Sequence, residues 1–339
     1  MDKGVEWQRH DCQVESYVLN SNVPCSDFIR DLHFITRPLS QEEEHYPLAF
    51  IVTVHKELEI FVRMLRAIYM PQNIYCIHMD AKAPWEFRVA VQRLVHCFDN
   101  VFLSSHSETV TYAGFSRLQA DLNCMKDLVT SNVGWKKIVN LCGQDFPIKS
   151  NLELVQYMQS KEWRDKNMTP GVKQPVHMSH RTKLQYQEIP GSHVVSKGLK
   201  KGPPPRNLQI YFGTAYYALT RDFVDFVLKS PVARELLEWS KDTFSPDEHY
   251  FVTLNHIKGR YVRDICVYGV EDLPWIINKN SMFANKFESN TFPEALDCLE
   301  QWHRSKVLNQ TAVPIERSWL LATQSNSRGS RDFSSHAGA

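Results

Sequence analysis

The sequence predicts an α/β protein with a doubly wound, mostly parallel sheet and flanking helices. Between residues 47 and 148, runs rich in apolar and β-branched residues alternate four times with helix-like segments. Continuous apolar runs are typical of parallel strands buried on both faces, and their alternation with helices favours a doubly wound sheet. The 339 residues are enough to bury the core of such a domain.

The first strand and helix set the pattern. PLAFIVTVH (47–55) is a continuous apolar run, and in KELEIFVRMLRAIY (56–69) the apolar residues recur at helical spacing. The same alternation continues through strand NIYCIHMD (73–80), helix APWEFRVAVQRLVHCF (83–98), strand NVFLSS (100–105), helix SRLQADLNCMKDLV (116–129), and strand and loop KKIVNLCGQDFPI (136–148).

The second half is less regular. Residues 156–206 are polar and rich in Pro, Gly and Lys, which predicts a long loop facing the substrate. Order resumes with strand QIYFGTAYYALT (209–220), helices RDFVDFVLKS (221–230) and ARELLEWSKDT (233–243), strand YVRDICVYG (261–269) and closing helix FPEALDCLEQWHRSKVL (292–308). The domain is therefore expected at 47–310, between a polar segment at 1–46 and a Ser/Gly-rich, disordered tail at 311–339.

Composition excludes several classes of protein. With 39 basic and 38 acidic residues, the chain has no net field that would attract nucleic acid or an anionic membrane. No apolar run approaches the ~20 residues of a membrane-spanning helix. The start, MDKGVEWQRHDC, lacks the features of a signal peptide, so neither a signal nor an anchor is expected in this chain.

The cysteines and sequons carry weaker information. None of the eight cysteines forms a C-x-x-C pair, which disfavours zinc ribbons and thioredoxin-like sites. Asn167 and Asn309 lie in N-x-[ST] sequons, which are typical of glycosylated lumenal proteins but also arise by chance.

Polar side chains close three of the strands. His55, Asp80 and Asp145 lie at strand ends, and a doubly wound sheet binds ligands at that edge. Asp80 is suited to a nucleotide ribose or base, although it could equally form a turn before the next helix. The first strand runs into HKELEIF without a glycine, which excludes dinucleotide oxidoreductases and P-loop proteins. A bound nucleotide would be held by side chains.

Glu248, in SPDEH, is the candidate general base. A carboxylate can remove the proton from a hydroxyl that attacks an anomeric carbon. The alternative is an ordinary helix start, with Ser245 as N-cap and Pro246 in the first position. The chain contains no Asp-x-Asp metal motif, so a leaving diphosphate would need cations such as Arg263 and Lys286. Both could instead be solvated surface cations.

Several segments together resemble the β-1,6-N-acetylglucosaminyltransferases of the core 2 and I-branching family. They are LRAIYMPQNIYCIHMDAKA, SRLQADLNCMKDL, NLCGQDFPIKSN, NLQIYFGTAYYALTRDF, WSKDTFSPDEHY and MFANKFE. The resemblance extends over about residues 25–310, with several stretches nearer the I-branching side. It implies a Golgi-lumen, type II membrane enzyme with a GT-A-like fold, in which residues 1–46 would be a stem remnant, and we expect the membrane anchor of the family to be absent from this chain.

The resemblance also implies the reaction. N-acetylglucosamine would pass from UDP-N-acetylglucosamine to a sugar 6-hydroxyl of a glycan acceptor, with inversion and without metal or other cofactor. The product would be a β-1,6 branch in O-glycans or poly-N-acetyllactosamine.

The resemblance assigns roles to individual residues. Glu248 matches the catalytic base, and Arg181 in HRTK matches an acceptor-binding arginine. Thr169 stands where core 2 members use an acceptor-binding glutamate, which argues against core 2 specificity. The residues expected to bind the UDP-sugar are His55, Asp80, Tyr112, Asp145, Arg263 and Lys286.

Family pairing implies the disulfides Cys25–Cys97 and Cys76–Cys124, with Cys142 outside any disulfide. Cys298 matches a cysteine that pairs with the N-terminal stem, for which Cys12 is the candidate here.

One departure affects function. Family members carry a segment between the equivalents of 258 and 259, with an aromatic Lys-Trp motif that packs on the acceptor sugar. Here NHIK joins GRYV directly. The alternative hypothesis is therefore a catalytically inactive truncated or splice variant that at most binds UDP-sugar.

Overall fold

The computed structural model describes residues 17–19, 23–256, 273–278, 281–284, 287 and 293–321. The strand expected at 261–269 and residues 322–339 of the expected tail lie outside these ranges, as does the junction between 258 and 259. The expectation of a disordered tail from 311 onward is wrong for residues 311–321, because Arg317–Trp319 form a 3₁₀ turn and the Trp319 ring is fully buried against Val307 and Leu308.

A five-stranded sheet forms the centre of the molecule, in the order β3-β2-β1-β4-β10. β1 pairs in parallel with both β2 and β4, β2 pairs in parallel with β3, and β10 closes the other edge as the antiparallel partner of β4. The sheet is thus mixed but dominated by parallel pairs. Its strands are β1 (Leu48–Val54), β2 (Ile74–Met79), β3 (Val101–Leu103), β4 (Lys137–Cys142) and β10 (Ala218–Thr220).

Helices cover both faces of this sheet. The helices are α1 (Cys25–Asp31), α2 (Gln41–Glu44), α3 (Leu58–Ile68), α4 (Trp85–His96), α5 (Phe115–Val129), α6 (Asn151–Gln159), α7 (His180–Lys183), α8 (Arg221–Lys229), α9 (Pro231–Ser240), α10 (Tyr250–His256), α11 (Leu273–Ile277) and α12 (Pro293–Asn309). Phe50 and Val52 belong to the core cluster that includes α3, α4 and α12, whereas Ala49 and Ile51 belong to the cluster with α5, α8 and α9. Alternate side chains of β1 point to opposite faces, so every residue of this strand is buried.

The expectation of a loop throughout 156–206 is wrong. The remainder of α6 occupies its start, and an antiparallel hairpin of β7 (Leu184–Ile189) and β8 (His193–Lys200) occupies its second half. Most of β8 is exposed to solvent, so the hairpin lacks the apolar alternation that reveals a half-buried strand. The other short strands are β5 (Phe146–Pro147), β6 (Gly171–Lys173), β9 (Tyr211–Gly213) and β11 (Phe283–Ala284).

The single strand expected at 209–220 is divided. β9 pairs with β6, and β10 joins the central sheet after a four-residue break. The break lets one apolar run contribute to two different sheets.

Two disulfides connect the layers, and both pairs are those that the family resemblance implies. Cys25–Cys97 links α1 to the residue after α4, and Cys76–Cys124 links β2 to α5. Cys298 is an exposed thiol on α12, and its expected partner Cys12 lies outside the described residues. Within the described part of the chain, no helix combines the length and apolarity needed to cross a membrane.

Candidate active site

The order of the parallel strands reverses between β1 and β4, and the crevice outside their carboxyl ends is where doubly wound sheets bind ligands. His55 directly follows β1, Asp80 directly follows β2, and Asp145 lies three residues beyond β4. The three residues expected from strand ends therefore lie along one edge of the sheet.

Glu248 is the last residue of a single 3₁₀ turn, Pro246–Glu248. The turn is closed by a 3.1 Å hydrogen bond from the Glu248 amide to the Ser245 carbonyl oxygen. Ser245 has φ = 48°, in the left-handed region, and its side chain makes no cap hydrogen bond. Ser245 thus occupies the N-cap position with Pro246 first in the turn, as the alternative interpretation expects, but its hydroxyl does not cap the turn. The turn presents Glu248, and α10 begins two residues later.

Arg181 is the direct partner of Glu248. Its Nη1 donates a 2.6 Å hydrogen bond to Oε2 of the carboxylate. The guanidinium lies over the rings of Phe244 and Phe212, with 5.2 and 5.6 Å to the ring centroids. These contacts hold Arg181 in place, while 27% of the Glu248 side chain stays exposed to solvent. Glu248 is thus both oriented and accessible to a ligand.

A buried charged layer lies behind this turn. Asp247 interacts electrostatically with Arg117, whose Nη1 donates a 2.5 Å hydrogen bond to Asp121. The other Asp121 oxygen accepts hydrogen bonds from the Tyr217 hydroxyl at 2.9 Å and from Asn140 at 3.1 Å. Burial raises the pKa of Asp247 to about 6, although Arg117 opposes this shift.

Asp145 lies in the turn that follows β4. Its Oδ2 accepts a 2.6 Å hydrogen bond from the Cys142 amide, and its Oδ1 accepts one from the Tyr216 hydroxyl at 3.2 Å. Burial raises the pKa of both the Cys142 thiol and the Tyr216 hydroxyl, which keeps both groups neutral. Asp145 is 1% exposed and supports the turn after β4, and its expected contact with a UDP-sugar stays a prediction.

Asp80 joins the end of β2 to the next loop. Its Oδ1 accepts hydrogen bonds from the amides of Lys82 at 3.0 Å and Val110 at 3.4 Å. Its Oδ2 forms a salt bridge with the Lys82 ammonium group. The turn interpretation of Asp80 is therefore confirmed, and its contact with a nucleotide stays a prediction.

His55 and Tyr112 are the expected donor-site residues that are open to solvent. His55 is exposed, and the pKa of its imidazole is lowered by desolvation and by the neighbouring Lys56. Tyr112 is 88% exposed, within a turn that a 3.0 Å hydrogen bond from the Gly114 amide to the Thr111 carbonyl oxygen closes. Both side chains can therefore contact a ligand without rearrangement of the core.

Two expected site residues, Arg263 and Lys286, lie outside the described ranges. Among the residues that are described, no group of three or more His, Cys, Asp or Glu side chains has an arrangement suited to a metal ion.

The two sequons differ in environment. Asn167 Nδ2 donates a 3.0 Å hydrogen bond to Asn255, which in turn donates a 2.8 Å bond to the buried hydroxyl of Thr169. Asn309 is exposed at the end of α12. Glycosylation of either residue stays a prediction.

A cavity of about 860 Å³ lies near the start of β4, away from the carboxyl ends of the strands. Its lining includes Trp135, Lys136 and Arg221, and Asn167 is its one residue from the expected sites. The described residues expected to bind substrate or catalyse do not line this cavity, and Glu248 with Arg181 forms the candidate site.

Comparisons with known proteins agree with the resemblance found in the sequence. The profile of the Core-2/I-Branching enzyme family matches residues 48–304. A human protein named probable β-1,3-galactosyl-O-glycosyl-glycoprotein β-1,6-N-acetylglucosaminyltransferase 7 is 51% identical over 337 residues, with 89% of this chain and 78% of that protein covered. The mouse N-acetyllactosaminide β-1,6-N-acetylglucosaminyl-transferase is 48% identical, with 90% of this chain and 84% of the relative covered.

The alignment with the human protein has 337 positions, but it covers only 89% of the 339 residues of this chain. The relative thus has residues that face gaps in this chain, and the segment expected to be missing between 258 and 259 stays a prediction. Among solved structures, mouse xyloside xylosyltransferase 1 aligns with 73% of this chain and 98% of its own, at 12% identity. Its TM-score of 0.35 is too low to support an argument.

Proposed function

Because this chain belongs to the Core-2/I-Branching enzyme family, we propose that it is a β-1,6-N-acetylglucosaminyltransferase with a GT-A-like fold. The donor is UDP-N-acetylglucosamine, and the acceptor is a 6-hydroxyl of a glycan. Transfer proceeds with inversion and without metal, in the lumen of the Golgi apparatus. The two disulfides support an oxidising compartment.

The observation that carries this proposal is the oriented, accessible carboxylate of Glu248. Oε2 lies 2.6 Å from Arg181 Nη1, and 27% of the Glu248 side chain is open to solvent. The acceptor oxygen attacks C1 of the donor sugar while the carboxylate removes its proton. The bond between C1 and the diphosphate oxygen breaks, and UDP leaves with the electron pair. Arg181 then remains beside the acceptor.

The donor side rests on residues of the same edge. His55 and Tyr112 supply exposed rings, and Asp80 anchors the loop that leads to Tyr112. Arg263 and Lys286 neutralise the leaving diphosphate, a role that Arg and Lys perform through their fixed charge. The lack of an Asp-x-Asp motif in the sequence supports this metal-free arrangement.

The acceptor preference is on the I-branching side. Thr169 is buried and bound to Asn255, so this position offers no carboxylate to an acceptor sugar. The names of the relatives divide: the mouse protein that is 48% identical is named for N-acetyllactosaminide, and the human protein that is 51% identical is named for β-1,3-galactosyl-O-glycosyl-glycoprotein, so the preference rests on Thr169. We therefore expect N-acetyllactosamine to be a better acceptor than a core 1 disaccharide.

A second candidate is a variant that binds UDP-sugar without transferring it. The direct junction of NHIK to GRYV favours it, because relatives have residues opposite gaps in this chain. Loss of an aromatic acceptor platform would remove stacking of about 1 kcal/mol, by analogy with aromatic pairs. Donor binding would then survive without turnover.

The test is calorimetric titration of the full chain, secreted from eukaryotic cells, with UDP in the presence of EDTA. Binding followed by transfer to N-acetyllactosamine supports the enzyme. Binding without transfer to any β-galactoside acceptor supports the second candidate. A folded protein that does not bind UDP contradicts both, and activity that is abolished by EDTA contradicts the metal-free mechanism.

A further inference from the structure

A half-buried carboxylate on the hairpin, Glu188 of β7, holds the turn that carries Tyr112. Oε2 of Glu188 accepts a 3.0 Å hydrogen bond from the amide of Ser116, and Oε1 accepts one from the Ser116 hydroxyl. The Ser116 hydroxyl oxygen in turn accepts a 2.8 Å hydrogen bond from the Thr111 amide. One carboxylate therefore fixes both ends of the turn from Thr111 to Ser116.

The fit is close and electrostatically favourable. Gly114 precedes α5, and a Cβ added to it would lie 2.5 Å from Cδ of Glu188. The residue at the N-cap position of α5 thus has no side chain, and Glu188 supplies the acceptor that a Ser or Asp would otherwise provide. Its negative charge also lies at the positive end of the helix dipole.

The same turn is bonded to the segment that presents the proposed base. The carbonyl oxygen of Ala113 accepts a 2.9 Å hydrogen bond from the amide of Ser245. Both residues are in the left-handed region, with φ of 61° at Ala113 and 48° at Ser245. Ala113 and Ser245, both with strained backbone conformations, are therefore joined by one hydrogen bond, and each needs support from its surroundings. Ser245 lies three residues before Glu248.

The turn is also bonded to the strand-end residues on the donor side. The amide of Val110 donates to Asp80, and the carbonyl oxygen of Val110 accepts from the Lys82 ammonium group. The hairpin adds a second connection, because the amide of Gly191 donates a 2.9 Å hydrogen bond to the hydroxyl of Thr111. The donor-side residues, the hairpin and the segment that carries Glu248 are thus all hydrogen-bonded to residues between Val110 and Ser116.

From these contacts we propose that Glu188 is a positioning residue. It fixes the position of the exposed ring of Tyr112 relative to the carboxylate of Glu248. It touches neither substrate, and it acts through Ser116 and the bond between Ala113 and Ser245. The catalytic consequence rests on the proposed function, whereas the coupling of the two segments does not. Displacement of a catalytic group by about 1 Å is enough to lower a rate a hundredfold.

The coupling is tested by amide hydrogen exchange on the full chain. Glu188→Ala leaves the Ser116 amide and hydroxyl without their acceptor, so exchange at Ser116 and at Ser245 is expected to rise about tenfold to a hundredfold. Glu188→Gln keeps one acceptor oxygen and should give a smaller rise. The matched control is Gln187→Ala, which changes an exposed neighbour on the same strand. Unchanged exchange at Ser245 in Glu188→Ala overturns the coupling.

Steady-state kinetics test the catalytic consequence. Glu188→Ala is expected to raise the donor KM and to lower kcat, each about tenfold or more. Glu188→Gln should recover part of both values, and Gln187→Ala should leave both unchanged. A merely structural role would lower the folded fraction and leave KM unchanged, and that result overturns the positioning role. If Glu188→Ala does not fold, Glu188→Gln decides by the same criteria. If the unmutated protein neither binds UDP nor transfers sugar, the proposed function fails, and the exchange data still decide the coupling.

Discussion

Replacement of Glu248 by Gln separates chemistry from folding more cleanly than any other single change. The substitution keeps the size of the side chain and an oxygen that can accept the hydrogen bond from Arg181, but it removes the ability to take a proton. General-base catalysis contributes about 100-fold to 10,000-fold, which corresponds to about 3–5 kcal/mol in the activation barrier. We therefore expect kcat to fall at least about a hundredfold.

The effect on stability should be much smaller. The side chains of Arg181 and Glu248 are 22% and 27% exposed, so their ion pair is worth about 1 kcal/mol or less to the fold. UDP affinity should also stay within about twofold, because Glu248 faces the attacking hydroxyl and not the nucleotide. A barrier effect several times larger than the stability effect is the expected signature of a catalytic base.

The assay is transfer to N-acetyllactosamine under saturating donor, with calorimetric UDP binding and thermal denaturation measured in parallel. The matched control is Glu235→Gln, which weakens the exposed ion pair between Arg206 and Glu235. Turnover of Glu248→Gln within about threefold of the unmutated protein refutes the assignment. If Asp247→Asn abolishes turnover in that case, the neighbouring carboxyl is the base.

Three further predictions follow from the charges and disulfides. Arg263→Ala and Lys286→Ala should each weaken UDP binding about tenfold or more in calorimetry, with no recovery on addition of Mg²⁺ or Mn²⁺; recovery would contradict the cationic clamp. Reduction of the two disulfides, which close 72- and 48-residue separations, should remove up to about 4 kcal/mol each and lower the Tm, and an unchanged Tm would contradict a structural role. Burial lowers the pKa of His249 to about 3 and of His303 to about 4, so the unfolded chain binds more protons below pH 6.5 and the free energy of unfolding should fall from pH 6.5 to 4. Asp247, whose pKa burial raises to about 6, opposes part of this loss, because its carboxyl takes up a proton in the folded state over the same range, whereas the lowered pKa values of His33 and His78 add to the loss. The urea midpoint is therefore expected to fall on acidification, and a midpoint that rises would contradict neutral, buried histidines in the folded state.

The central sheet could be predicted from the sequence because its strands are buried on both faces. A strand such as β1 must be apolar throughout, and an adjacent helix must be apolar on one side only, so the two patterns are distinct. The hairpin of β7 and β8 could not be predicted in this way. β8 is largely exposed, and β7 is mostly half-buried. Glu188 of β7 accepts a hydrogen bond from the Ser116 amide, and the Thr111 hydroxyl donates one to the Ile189 carbonyl oxygen; the sequence has no periodic signal for such contacts.

The site residues also differ in whether the sequence alone can indicate them. Strand ends indicated His55, Asp80 and Asp145, because the carboxyl edge of a parallel sheet is a property of the fold. The partnership of Arg181 with Glu248 joins positions 67 residues apart, and only the folded chain shows it. Arg117 was missed because an Arg–Asp pair at i, i+4 is also typical of a solvated helix face.

The charged layer behind Glu248 is difficult to explain by stability alone. The side chain of Asp121 is 1% exposed and that of Arg117 is 15% exposed, and Asp247 Oδ1 is buried without a hydrogen-bond partner among the described residues. Burial of such charges costs several kcal/mol per ion, and well-packed apolar side chains would often serve the fold as well or better. A fixed charge next to the Pro246–Glu248 turn does, however, restrict where that turn can lie. The charged layer thus lies next to the turn that carries the proposed base, where it constrains the position of that turn.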